Sequence, residues 1–249
     1  MGLHFDDATL GYAKRIAVRS FSAKLMSGSL VAITGDNGSG KSTLLKAVAG
    51  LIRPISGKIT KSKKNRIAYL SQQCNIDKTF PINVEALVKT GLWSFCGLWK
   101  SQRPYRYAVQ NALNAVGLTA LATRSLDTLS SGQLQRALFA RIIVQNADII
   151  LLDEPFNGVD HNTQKNLLEL IIQWHQQGRT ILTALHDPIV VQKYFPQTIQ
   201  INEHNAFYGE TKQFFKDSTH NIVSSFTPDF FRIRPQKQYL STNTSNHIG

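Results

Sequence analysis

Eight residues, Gly35-Asp-Asn-Gly-Ser-Gly-Lys-Ser42, match the pattern GxxxxGK[ST] in full. The β-favouring residues 29–34 before them predict a strand, and residues 42–49 after them predict a helix that ends at Gly50. Glycines allow successive backbone N–H groups to converge on phosphate oxygens, and the first turn of a helix carries partial positive charge. The segment therefore predicts a phosphate-binding loop between a strand and a helix.

The polar residues of this loop have separate predicted roles. Lys41 can reach the β- and γ-phosphates of a nucleoside triphosphate, and the Ser42 hydroxyl can ligate Mg²⁺. The alternative is a solvated glycine turn, and the flanking strand and helix argue against it. We expect the nucleotide to contact the following residues: Gly35, Asn37, Gly38, Ser39, Gly40, Lys41, Ser42 and Thr43.

A second motif is Ile149-Ile-Leu-Leu-Asp153-Glu154-Pro155, an apolar run that ends in two carboxylates. Such a run is typical of a strand that is buried on both faces in a parallel sheet. Beside a phosphate loop, Asp153 can hold Mg²⁺, and Glu154 can orient or deprotonate the water that attacks the γ-phosphate. Taken alone, the pair could also mark a strand end that turns into solvent.

Composition and charge exclude several classes of protein. The chain has 249 residues, 42% of them hydrophobic, which is too apolar for disorder. No apolar run reaches the ~18–20 residues that span a bilayer, and the first residues lack the pattern of a secretory signal. Cys74 and Cys96 form neither a disulfide framework nor a CxxC site, which predicts a reducing cytoplasm. The net charge of +12 favours phosphate, nucleic acid or an anionic membrane as a partner.

Extended and helical patterns alternate along the rest of the chain. Strands are predicted at residues 67–70 and 179–184 and a helix at residues 163–176, and this alternation favours an α/β sheet domain. The middle of the chain, about residues 74–140, instead favours helices joined by turns. We interpret it as an inserted lobe, with helical segments at 108–116 and 133–144.

A basic segment, residues 53–66, holds six cations and no acid and has the pattern of a hairpin. Three interpretations remain open: a solvated edge hairpin, a patch that faces anionic lipid, and a nucleic-acid surface. The first is the usual one for a run of like charges.

A family resemblance comes from Leu129-Ser130-Ser131-Gly132-Gln133, about 20 residues before the acidic strand. This segment resembles the LSGGQ signature of ATP-binding cassette (ABC) ATPases, and further motifs follow in that family's order over roughly residues 3–205. Four positions carry the likeness: Tyr12 is similar to the aromatic residue that stacks on adenine, Gln72 to the Q-loop glutamine (with Gln73 as its rival), Asp160 to the D-loop aspartate and His186 to the switch histidine.

The resemblance implies a fold and a set of roles. The fold is α/β: a phosphate-loop ATPase core with a mostly parallel sheet, an N-terminal antiparallel β subdomain and the inserted α-helical lobe. The ABC ATPase domain would occupy residues 1–209, followed by a C-terminal tail of unknown role at 210–249. The implied cofactors are ATP and Mg²⁺, the implied catalytic residues are Lys41, Gln72, Glu154 and His186, and the implied metal ligands are Ser42, Gln72 and Asp153.

The resemblance also implies partners, because no single chain of this family closes its own ATP site. A second copy, head to tail, would seal the nucleotide with Ser130, Ser131, Gly132 and Gln133 and bring Asp160 close to it. Ser131 departs from the family's glycine, and its added hydroxymethyl group could tighten or strain the contact with the γ-phosphate. Separate integral membrane permease subunits would bind an aromatic-rich groove that includes Phe80, Trp93, Phe95 and Trp99. The alternative is that these rings pack the core of the lobe itself.

Two short stretches suggest a subfamily. Residues 76–84 and the Glu154–Asp160 stretch EPFNGVD resemble ATPases of bacterial importers of zinc, manganese or iron. We therefore expect an importer ATPase that is peripheral at the cytoplasmic face of the inner (plasma) membrane, with zinc favoured and a periplasmic or extracellular metal-binding protein as an indirect partner. The alternatives are an iron-chelate or cobalamin importer, an exporter, and a soluble cassette that acts on nucleic acid or ribosomes. Because the soluble relatives are longer, no nucleic-acid partner is expected.

Overall fold

The computed structural model describes residues 2–12, 15–72, 81–93 and 103–215. Its strands are β1 (Leu3–Tyr12), β2 (Arg15–Leu25), β3 (Leu30–Thr34), β4 (Ser56–Thr60), β5 (Ile67–Leu70), β6 (Ile149–Asp153), β7 (Thr180–Ala184), β8 (Gln197–Asn202) and β9 (Asn205–Glu210). They form one sheet in the order β4-β1-β2-β9-β8-β3-β7-β6-β5. Strands β5, β6, β7, β3 and β8 pair in parallel, whereas β1 pairs antiparallel with β2 and β4. The predicted mostly parallel core with an antiparallel N-terminal part is confirmed.

The helices connect and cover these strands. They are α1 (Lys41–Ala49), α2 (Val84–Lys89), α3 (Arg106–Ala115), α4 (Ser131–Gln145), α5 (His161–Gln176), α6 (Pro188–Tyr194) and α7 (Thr211–Phe214), with short 3₁₀ turns at Thr90–Leu92, Arg103–Tyr105, Thr119–Leu121 and Leu126–Thr128. Each predicted helix is present within about two residues. Within the part of the chain that the structure describes, none of these helices combines the length and the hydropathy needed to cross a membrane.

The carboxyl ends of the parallel strands carry the loops that matter for function. All five residues of β6 are buried, as the continuous apolar run predicts, and Asp153 is the last of them. Strand β3 leads directly into the phosphate loop and α1. Because β3, β7, β6 and β5 run in parallel, the residues that follow them meet at the same edge of the sheet.

The hairpin prediction for residues 53–66 is wrong. Strand β4 pairs with β1, whereas β5 pairs with β6 at the opposite edge of the sheet. Ile59 of β4 packs on the core beside β1, and this apolar contact selects the pairing that a local pattern cannot show. Several of the cations have partners within the chain: Lys58 pairs with Asp6, Arg66 pairs with Asp148, and the half-buried Lys61 donates to the Val48 carbonyl at the end of α1.

The helices of the middle region pack on one another. Helices α2 and α3 both contact α4, and Phe139 of α4 stacks on Trp174 of α5 with ring centroids 5.7 Å apart. The boundaries of the inserted lobe (74–140) and of the tail (210–249) stay predictions. Of the aromatic groove, Trp93 is half exposed, whereas Phe80, Phe95 and Trp99 lie outside the described residues.

Candidate active site

The phosphate loop depends on glycine at two positions. Gly35 has a φ of 141° and Gly40, the N-cap of α1, has a φ of 114°, which is backbone that other residues rarely adopt. A Cβ on Gly35 would lie 2.4 Å from the Ile201 carbonyl oxygen, and one on Gly40 would lie 3.0 Å from the Ala17 Cβ. The loop is therefore pressed against neighbouring backbone, and only glycine fits.

Lys41 lies inside this loop rather than in solvent. It is 5% exposed, and its Nζ donates to the carbonyl oxygens of Gly35 at 2.8 Å and Asp36 at 2.9 Å. Burial lowers the pKa of Lys41, and the negative charges of Glu154, Asp153 and Asp36 oppose that shift. The loop thus holds an ammonium group at its centre, where phosphate oxygens can replace the two carbonyls as acceptors.

Asp153 and Ser42 form the pair of oxygen donors that the sequence predicts. Ser42 Oγ donates to Asp153 Oδ1 at 3.0 Å, and the Tyr69 hydroxyl donates to Asp153 Oδ2 at 3.2 Å. Burial raises the pKa of Asp153, which is 2% exposed, while the bonds from Ser42 and Tyr69 oppose the rise. A hydroxyl and a carboxylate are hard oxygen ligands, so this pair fits Mg²⁺. Tyr69 was not predicted, because no motif marks it.

Glu154 lies between two polar side chains from neighbouring strand ends. Its carboxylate accepts a hydrogen bond from Gln72 Nε2 and contacts His186 Nε2. Its φ of 51° is unusual for a residue with a side chain, and the Asn157 N–H closes a turn onto the Glu154 carbonyl. Gln72, following β5, is the glutamine at this site, whereas its rival Gln73 lies outside the described residues.

Lys41, Ser42, Gln72, Glu154 and His186 line one cavity of about 1010 Å³. Tyr12, half exposed, stands at its wall, as do the predicted residues Asn37, Gly38, Gly40, Lys41, Ser42, Thr43, Gln72, Glu154 and His186. Sequence reasoning missed other lining residues, namely Arg15, Ile16, Ala17, Phe156, Asn157, Gln164, Ala184, Leu185, Asp187 and His204. His204 was interpreted as an ordinary surface residue, but the Arg19 N–H donates to its carbonyl at 2.7 Å and brings it to the cavity.

Other predicted residues lie elsewhere. Asp153 is buried behind the cavity wall, and Gly35 and Ser39 belong to the loop without lining the cavity. The signature residues also lie outside the lining. Ser130 is the N-cap of α4, where its Oγ accepts from the Gln133 N–H while the Gln133 side chain accepts from the Ser130 N–H. Asp160 is the N-cap of α5, and hydrogen bonds from Thr163 lower the pKa of its carboxyl.

The arrangement is that of a nucleotide-hydrolysing site, and comparison with known sequences agrees. A sequence profile described as "ABC transporter" matches residues 18–157. The chain belongs to the ABC transporter family. This ABC ATPase is 37% identical over 224 residues to the manganese transport system ATP-binding protein MntB of Listeria monocytogenes, which covers 86% of this chain and 92% of the relative.

Two further likenesses agree with this assignment. The ABC ATPase is 34% identical over 232 residues to the zinc transport system ATP-binding protein TroB of Treponema pallidum, covering 90% of this chain and 83% of the relative. Among solved structures, a metal-chelate type ABC transporter in an inward-facing conformation superposes with a TM-score of 0.77 at 31% identity, covering 85% of this chain and 84% of that one. The chain is therefore an ATP-binding ATPase of the ABC type.

Proposed function

We propose that this ABC ATPase is the ATP-hydrolysing subunit of an importer for a divalent metal ion, manganese or zinc, and that it works with a separate membrane permease. The position of Glu154 is the observation that supports ATP hydrolysis, because Gln72 and His186 hold its carboxylate at a cavity that the phosphate loop lines. The similarity to transport ATP-binding proteins named for manganese and for zinc supports the choice of cargo.

The residues around the cavity have complementary roles toward ATP. Tyr12 offers an aromatic face to the adenine, and the N–H groups of the loop together with Lys41 hold the phosphates. Ser42 and Asp153 would hold Mg²⁺, which supplies positive charge against the β- and γ-phosphate oxygens. Glu154 accepts the proton of the attacking water, while Gln72 and His186 keep its carboxylate in one orientation.

A second copy of the chain completes the site. The signature residues Ser130–Gln133 and Asp160 do not line the cavity of their own chain, although they are the groups that the family resemblance assigns to the nucleotide. The capping box at Ser130 fixes the backbone conformation at the start of α4, where the partial positive charge of the helix can face an anion. Two chains, related head to tail, would therefore bind two ATP molecules between them.

The permease and the location follow from the same proposal. The chain would be peripheral at the cytoplasmic face of the plasma membrane, with the half-exposed Trp93 on the surface that meets the permease. The cargo would not touch this subunit and would be delivered by an extracytoplasmic metal-binding protein. The similarity does not favour zinc over manganese, since relatives named for each metal are 34–37% identical to this chain.

The test is metal uptake by the assembled transporter. We would purify the chain with the integral membrane protein that copurifies with it, reconstitute both in liposomes, and measure ATP-dependent uptake of manganese and zinc. The matched control is Glu154→Gln, which we expect to bind ATP and abolish uptake. Salt-sensitive RNA retention with no copurifying membrane protein would instead support the nucleic-acid alternative, and ATP-dependent export would contradict import.

A further inference from the structure

The signature helix α4 is attached to the segment that follows Glu154, residues 155–160, within one chain. Ser131 Oγ donates to the Gly158 carbonyl at 2.7 Å, and Gln135 Nε2 donates to the Pro155 carbonyl at 2.7 Å. Gly132 lies close enough that a Cβ there would be 3.5 Å from Asp160 Oδ2. The 155–160 segment thus runs from the catalytic carboxylate to the signature helix and bonds to it at two points.

The Ser131 contact is a property of this chain's side chain. The signature pattern that this segment resembles has glycine at the second position after leucine, and glycine has no hydroxyl to donate. Asn157 and Gly158 are exposed, and Gly158 has open space around its Cα with a φ of 71°. Little packing therefore holds this part of the segment, and the hydroxyl of Ser131 supplies a fixed attachment at its exposed end.

We propose that Ser131 is a positioning residue, whose side chain holds the 155–160 segment on the signature helix. Glu154 and the signature residues of the same chain then keep a fixed position relative to each other when a second copy binds. The part that concerns a second copy rests on the function proposed above. The Ser131 hydroxyl therefore acts on its own chain, and the capping box occupies the N–H groups of Ser130 and Gln133 but not those of Ser131 and Gly132, which can face the partner's nucleotide.

Hydrogen exchange on the single chain without ATP tests the attachment itself. In Ser131→Ala, we expect the amides of residues 155–160 to exchange about two- to twelvefold faster, the factor that one lost hydrogen bond produces. Exchange of the Asn157 N–H is the most direct measure of the attachment, because this N–H donates to the Glu154 carbonyl within the same segment. Ser131→Thr keeps a hydroxyl and should restore slow exchange. The matched control is Ser125→Ala, an exposed serine for which no side-chain hydrogen bond occurs in the described part of the chain.

ATP-driven association tests the consequence. In the Glu154→Gln background, Ser131→Ala should weaken association of two chains about fivefold or more, because each chain must then order its 155–160 segment on association without the bond that held it. The affinity of a single chain for ATP should stay within about twofold, a split that general destabilisation would not produce.

The two proposals can fail separately. If Glu154→Gln with Ser131 intact does not associate, the second-copy arrangement is wrong, and the exchange result still decides the attachment. If Glu154→Gln associates and Ser131→Ala matches Ser125→Ala in both exchange and association, the role of Ser131 is overturned. Recovery of both properties in Ser131→Thr would support it.

Discussion

Replacing Tyr69 by Phe removes one hydroxyl from a buried carboxylate and leaves the ring in place. The hydroxyl donates to Asp153 Oδ2 at 3.2 Å, while Ser42 Oγ donates to the other oxygen at 3.0 Å. Asp153 is 2% exposed, so water is a poor substitute for the lost donor. We expect Tyr69→Phe to fold normally and to be less stable because Asp153 is left with fewer donors.

The magnitude follows from the geometry. A hydrogen bond to a charged group contributes about 1.5–3 kcal/mol, and 3.2 Å is long for an O–H donor, so the lower end applies. The free energy of unfolding should therefore fall by about 1.5 kcal/mol near neutral pH. The assay is urea unfolding followed by tryptophan fluorescence. The matched control is Tyr107→Phe, which removes a hydroxyl from a ring that is 71% exposed and should change stability by less than about 0.5 kcal/mol.

The pH dependence gives the sharper result. Burial raises the pKa of Asp153 above its ordinary value of 3.8, so its contribution to stability is full below that value and is lost as pH rises through the folded-state pKa. Removing the Tyr69 donor raises the pKa of Asp153 further, so Tyr69→Phe loses stability only while the Asp153 carboxylate is ionised. The difference in free energy of unfolding between the wild type and Tyr69→Phe should therefore shrink as the pH is lowered from about 8 to about 4. An equal loss at both ends of this range would refute the reasoning.

Three further changes test other parts of the account. Lys41→Ala should lower ATP affinity about ten- to a hundredfold by calorimetry, because a buried ammonium inside the phosphate loop is lost; unchanged affinity would contradict the phosphate-loop assignment. His186→Ala should slow steady-state ATP hydrolysis at least about tenfold, because Glu154 loses a partner, while ATP affinity persists; equal losses of rate and affinity would speak against an orienting role. Phe139→Ala should lower the free energy of unfolding by about 3–5 kcal/mol, because the ring is fully buried against Trp174; a loss below about 1 kcal/mol in urea would disprove this.

Sequence patterns predicted the parts of the fold that depend on neighbouring residues. The phosphate loop, the buried strand that ends at Asp153 and the helices predicted at 133–144 and 163–176 each follow from spacing within a few positions, although both helices begin about two residues earlier than predicted. Strand pairing was harder. Strand β4 pairs with β1, some fifty residues earlier in the chain, and a local charge pattern carries no information about that partner.

In the candidate site, too, residues of local motifs could be predicted, whereas residues brought in by contacts distant in sequence could not. Motif residues such as Gln72, Glu154 and His186 could be named because their order along the chain resembles a family pattern, and the structure brings them into contact. Tyr69 and His204 could not be named from the sequence. The Tyr69 side chain reaches Asp153 on the neighbouring strand β6, and His204 is held at the site by a backbone hydrogen bond from Arg19 of β2. The bond from the Ser131 hydroxyl to Gly158 of its own chain could not be predicted either, because it joins two segments that are distant in sequence.

The central claim is that the phosphate loop of one chain binds ATP and that the signature residues of a second copy contact the same ATP. Sedimentation of Glu154→Gln with saturating ATP and Mg²⁺ tests it most directly, with Ser130→Phe added in the same background as the comparison. We predict a mass about twice the 27.8 kDa of the chain for Glu154→Gln alone and a single-chain mass when the signature is also blocked. Glu154→Gln that stays at single-chain mass with ATP bound, or doubles equally with Ser130→Phe present, would contradict the account.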